Sequence, residues 1–89
     1  MAVDVEVEEL KRAISDALRD ERWAEALPLV ESWCSRFPDR ASGWLNLGYC
    51  LVRLGRPPDA VAAFDRCLAL DPQAAKARSW REHALAAMA

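Results

Sequence analysis

Few residues of this 89-residue chain could do covalent or metal chemistry: Cys34, Cys50, Cys67 and the single histidine, His83. The intervals Cys34 to Cys50 and Cys50 to Cys67 are far wider than a CxxC pair and match neither a zinc nor a dithiol motif. They read as reduced, buried thiols, since a free cysteine packs like a small apolar residue. His83 has no second ligand one helical turn away, because residues 79, 80, 86 and 87 are Ser, Trp, Ala and Ala. Cys50 and His83 could in principle form a nucleophile and its base. No third group to orient the imidazole and no oxyanion device accompanies them. The expectation is therefore no catalytic residue, no metal and no cofactor. What remains is recognition chemistry, carried by the basic side chains, the one asparagine (Asn46), Tyr49 and four tryptophans.

Helices must position those groups. The chain is 53% hydrophobic and 29% charged, a globular composition. Its 17 Ala and 11 Leu stand against one Ile, six Val and no Thr, so helix formers dominate strand formers. Three glycines are too few for the turns of a β-sandwich or barrel. A net charge of −2 gives no support for nucleic-acid binding. No apolar run is long enough to cross a bilayer. The acidic start, Met1 to Glu6, lacks the apolar segment of a secretory leader, which points to the cytoplasm. Ten Arg to two Lys, with so much Ala, suggests a GC-rich bacterial genome.

An internal repeat sets the register. Pro38 and Pro72, Ala26 and Ala60, and Arg22 and Arg56 all share one interval, a period of thirty-four. In the second window Trp44, Leu47, Gly48 and Leu51 lie at i, i+3, i+4 and i+7, one face of a helix. Gly55 stands where that helix should end in left-handed geometry. Pro57 and Pro58 suit the first turn of the next helix. Ala60, Val61, Phe64, Cys67 and Leu68 form its apolar stripe, and Asp71-Pro72 stops it. The first window repeats this in degenerate form. Leu10, Ala13, Ile14 and Ala17 make one stripe, and Ala26, Val30, Trp33 and Pro38 mark the other. Ile14 stands where the second window has Gly48 and should push the helices slightly apart. Pro28 lies inside its second helix and should bend it.

Trp44, Leu47, Gly48, Ala60, Phe64 and Pro72 resemble the tetratricopeptide repeat pattern, at its fixed offsets over one full repeat. Leu51 replaces the family's aromatic and Cys67 a small residue. The resemblance implies an all-α solenoid of five helices in a right-handed superhelical array. Repeats would span 7–40 and 41–74, with a capping helix at 75–89 after a frayed lead-in at 1–6. Ala77, Ala84, Leu85 and Met88 would pack that cap against the second repeat. Trp33, Trp44 and Trp23 are assigned to the core, and Trp80 to a partly exposed position.

The resemblance also implies a function. First helices of successive repeats line a concave groove that holds a peptide or a partner's tail. Carried over residue by residue, the groove would present Lys11, Arg12 and Ser15, then Asn46, Tyr49 and Arg53, then Lys76, Trp80 and His83. One subgroup of the family clamps a C-terminal carboxylate with five residues. Lys11, Asn46 and Lys76 match three of those positions, while Ser15 and Trp80 replace Asn and Arg. Converging lysines and an amide can hold a carboxylate or acidic side chains. The expected protein is a non-enzymatic, monomeric interaction module for a protein or peptide partner with an acidic tail. An assembly adaptor working through its ends or convex face is the alternative.

Overall fold

The computed structural model describes residues 2–89. Five helices follow one another: α1 (Ala2–Arg19), α2 (Trp23–Arg36), α3 (Ala41–Arg53), α4 (Pro57–Leu70) and α5 (Ala75–Met88). Each packs on the next in sequence, and α3 also touches α5. The result is an all-α, tetratricopeptide-like solenoid, 47 Å long and 17 Å thick. The buried residues form two core clusters, the first around α1 and α2 and the second around α4 and α5, with Leu27, Trp44 and Leu47 packed against both. α1 begins at Ala2, ahead of the start expected near residue 7. The alternating valines are therefore helical, and Val7 packs with Leu10 against the first core cluster.

The period of 34 is visible in the backbone itself. The amide of Arg22 donates to the carbonyl of Ala17, and that of Arg56 to Leu51. Between them the chain takes left-handed φ at Glu21 (57°) and at Gly55 (74°). Repeat 2 uses glycine there and repeat 1 forces a glutamate into the same geometry, which costs a side-chain-bearing residue about 1 kcal/mol. Each second helix then opens on the same ion pair. Arg22 reaches Glu25 at 2.8 Å, and Arg56 reaches Asp59 at 2.9 Å. The acids sit in the first turn, where the helix dipole favours negative charge. A third pair of equivalents is less obvious. Trp44 donates its indole N–H to the Pro38 carbonyl at 2.9 Å. One period on, the Arg78 guanidinium donates to the Pro72 carbonyl at 3.0 Å. An arginine thus takes over the tryptophan's hydrogen bond at the exposed end.

Packing between the two helices of a hairpin turns on exchanged volume. Gly48 of α3 faces Phe64 of α4. A Cβ added at Gly48 would lie 2.6 Å from Phe64 Cδ1 and 2.7 Å from Cζ, with Cε1 nearer still. Phe64 is fully buried. In repeat 1 the equivalent residues are Ile14 and Val30, both buried in one cluster. A large–small pair has become medium–medium, so the isoleucine is accommodated by a smaller partner. The α1–α2 contact is still the sparser of the two hairpins. A second exchange joins the repeats. Trp33 of α2 seats on Gly43 of α3, where an added Cβ would meet the indole Cδ1 at 2.7 Å. The equivalent residues one repeat later are Cys67 and Ala77, both buried.

Several side chains depart from expectation. Leu85 and Met88 are exposed, at 39% and 49%, and do not pack on the second repeat. Ala77 and Ala84 are buried as expected, and Trp80 packs beside them. Trp44 is only partly buried. Its ring carries the Arg66 guanidinium 4.6 Å from its centroid. α2 passes through Pro28 without a break. Pro28 and Ala24 are both exposed, so the carbonyl that loses its N–H partner faces water.

Candidate functional site

α1, α3 and α5 present three adjoining clefts on one side of the solenoid. In the first, Lys11 and Ser15 of α1 face Ser42 and Asn46 of α3 across a floor of Val30 and Trp33. α1 and α3 make no close backbone contact, so the α2 tryptophan fills part of the gap between them. In the second, Asn46 and Tyr49 of α3 face Lys76 and Trp80 of α5. The third and largest, about 540 Å³, is lined by Trp23, Val52 and Arg53 with Ser79, Trp80 and His83. Asn46 is common to the first two and Trp80 to the last two. The clefts therefore join into one track.

Of the nine residues expected in a groove, eight lie on this track. Arg12 does not; it borders a separate depression beside Glu8 and Glu9 of α1. Its helical position, one residue past Lys11, rotates it about 100° away from the track. Trp23 joins the track against expectation. Its inner edge packs against the first core cluster, as its assignment to the core requires. Its other side faces the third cleft. The signal for this in the sequence is a break in the repeat, since the position one period later is Pro57.

The aromatic residues form a ladder across the track. Trp23 meets Tyr49 edge-on at 5.2 Å between centroids, Tyr49 meets Trp80 at 4.9 Å, and Trp80 meets His83 at 5.3 Å. Edge-to-face pairs at these distances are favourable and hold one another's orientation. Arg53 stacks on Trp23, its guanidinium carbon 5.3 Å from the ring centroid. It also approaches the Glu21 carboxylate at 3.6 Å. Lys11 pairs with Glu8 at 3.5 Å in an exposed contact worth about 0–1 kcal/mol. Among the described residues, Lys76 has no carboxylate within salt-bridge distance.

Cys50 and His83 do not make a nucleophile and base. Cys50 is fully buried and His83 is exposed. Burial pushes the Cys50 thiol up to about 11, which keeps it protonated at neutral pH. Cys34 is also pushed up to about 11, by burial first and by Glu31 second.

A family model of the tetratricopeptide repeat matches residues 11–75, most of the chain. The chain belongs to the tetratricopeptide repeat family, whose repeats mediate protein–protein interaction and are generally non-catalytic. No curated protein matches it. No helix among the described residues is long and apolar enough to cross a membrane.

Proposed function

We propose that the concave track binds an acidic peptide or the tail of a partner protein, without catalysis. The observation that carries this reading is the continuity of the three clefts, which string Lys11, Asn46 and Lys76 along one surface. Lysine ammonium groups and a side-chain amide are donors suited to carboxylates and to an extended backbone. Ser15 adds a hydroxyl beside Lys11. A track this short buries little area, and interfaces below ~1,200 Å² are typically transient. The expected affinity is micromolar, about −8 kcal/mol.

The test is a fluorescence-anisotropy titration with an acidic peptide ending in a free carboxylate. The double variant Lys11→Ala/Lys76→Ala should abolish its binding. Both lysines are exposed, so the fold tolerates the change. Unchanged affinity would reject the reading.

A second reading, assembly through the ends, draws on Leu85 and Met88, two exposed apolar side chains one turn apart on α5. Sedimentation velocity over a dilution series separates the two, because end-to-end association raises the mass with concentration and a constant monomer mass excludes it.

A further inference from the structure

Resting on the groove reading, we infer that the third cleft captures the C-terminal residue of the partner, and that this residue is bulky and apolar. Trp23, Val52 and Trp80 supply half-buried apolar surface. Arg53 and Ser79 supply donors within the same space. It is an open surface cleft of about 540 Å³. It also exceeds the second cleft, beside Lys76, at about 310 Å³. An internal acidic residue offers a carboxylate with no apolar bulk beside it. A C-terminal Phe, Leu or Trp carries both on one Cα. That combination matches a cleft whose apolar walls and guanidinium stand side by side.

Arg53 is prepared for this role. Its guanidinium carbon lies over the Trp23 ring, 5.3 Å from the centroid, and a planar guanidinium can meet a carboxylate through two N–H groups. The carboxylate it now approaches, Glu21, sits at 3.6 Å, too long for a direct hydrogen bond. Both partners are exposed, so a ligand carboxylate can displace it at small cost. With the terminus seated there, preceding residues run past Asn46 and Lys76 toward Lys11. Acidic residues of the peptide then meet the two lysines. Trp80, shared by the second and third clefts, becomes the wall between the terminal side chain and the rest of the tail.

The experiment compares three peptides by anisotropy: acetyl-Asp-Glu-Asp-Glu-Phe as the free acid, the same peptide amidated, and the free acid ending in Ala. The free-acid Phe peptide should bind at least about tenfold more tightly than either of the others. Arg53→Gln should erase the difference between acid and amide while keeping the preference for Phe over Ala. Ser79→Tyr, at an exposed position, fills the cleft without touching the core and should erase the preference for Phe. Glu21→Gln frees Arg53 and should tighten the free acids severalfold, leaving the amide unchanged. Binding without preference for Phe or for the free acid overturns this inference and leaves the groove reading standing. Failure of all three peptides to bind overturns both. If Ser79→Tyr alters sedimentation but not peptide affinity, the cleft is a self-contact and the inference falls.

Discussion

Exchange of volume between Gly48 and Phe64 makes a quantitative prediction about stability. Gly48→Ala would place a Cβ within 2.6–2.7 Å of two Phe64 ring carbons, where ordinary contacts between carbons are about 3.5–4.0 Å. The ring must retreat by about 1 Å to restore such a contact. It is fully buried, so any retreat must displace neighbouring core side chains. Overpacking of this kind costs about 1–3 kcal/mol, and this geometry belongs in the upper half. Replacing a mid-helix glycine by alanine returns about 1 kcal/mol of helix propensity. The net destabilisation is about 1–2 kcal/mol, a fall in Tm of about 5–15 °C for a domain of this size. Phe64→Val alone trims a fully buried ring and should cost about 2–4 kcal/mol. The double variant moves the pair toward the more even volumes of Ile14 and Val30. Its loss should be smaller than the sum of the single losses by about 1 kcal/mol or more. Urea denaturation followed by far-UV circular dichroism and tryptophan fluorescence measures all three on one scale. Additive losses, within about 0.5 kcal/mol, would refute the idea that the two positions exchange volume. So would a Gly48→Ala protein as stable as its parent.

Four further outcomes rest on local geometry. Glu21→Gly relieves a left-handed glutamate and removes only an exposed ion pair, so it should raise stability by about 0.5–1 kcal/mol in the same denaturation assay. Trp44→Phe deletes the indole donor to Pro38 and should cost about 0.5–1.5 kcal/mol, read as a lower urea midpoint with unchanged slope. Burial raises the Cys34 and Cys50 thiols to about 11 and shifts Cys67 in the same direction. A raised folded-state value favours the protonated thiol, so this contribution to stability is complete below the ordinary thiol range. It is lost as pH rises from about 9 through about 11. The urea midpoint should fall over that window, and Cys50→Ala should flatten the fall. The thiols should also resist Ellman's reagent at pH 8 until the chain is unfolded.

Much of the architecture was legible in the chain because it depends on short-range rules. Helix periodicity, the left-handed turn at Gly55 and the stop at Asp71-Pro72 are set by hydrogen bonds spanning three to five residues. The period of 34 then carried each feature from one repeat to the next. Most of the track was legible for the same reason, since a residue's face follows from its place in the register. Arg12 lies off the track because a step of one residue turns a side chain about 100°, and no local rule says which of two adjacent cations faces the neighbour.

Tertiary packing decided the rest. Trp23 lies at a helix start where the repeat is broken, and only the position of α3 and α5 makes one side of it a cleft wall. The accommodation of Ile14 required knowing that its partner across the hairpin is Val30, on the next helix. The Trp33 indole of α2 seats on Gly43 of α3 and lines the gap between α1 and α3, a contact between separate helices. Leu85 and Met88 have the apolar character of core residues, and they are exposed because no further helix covers that side of α5 among the described residues. The repeating backbone was written in local residue types. The shape and chemistry of the three adjoining clefts came from side-chain volumes meeting between helices, which no stretch of the chain specifies alone.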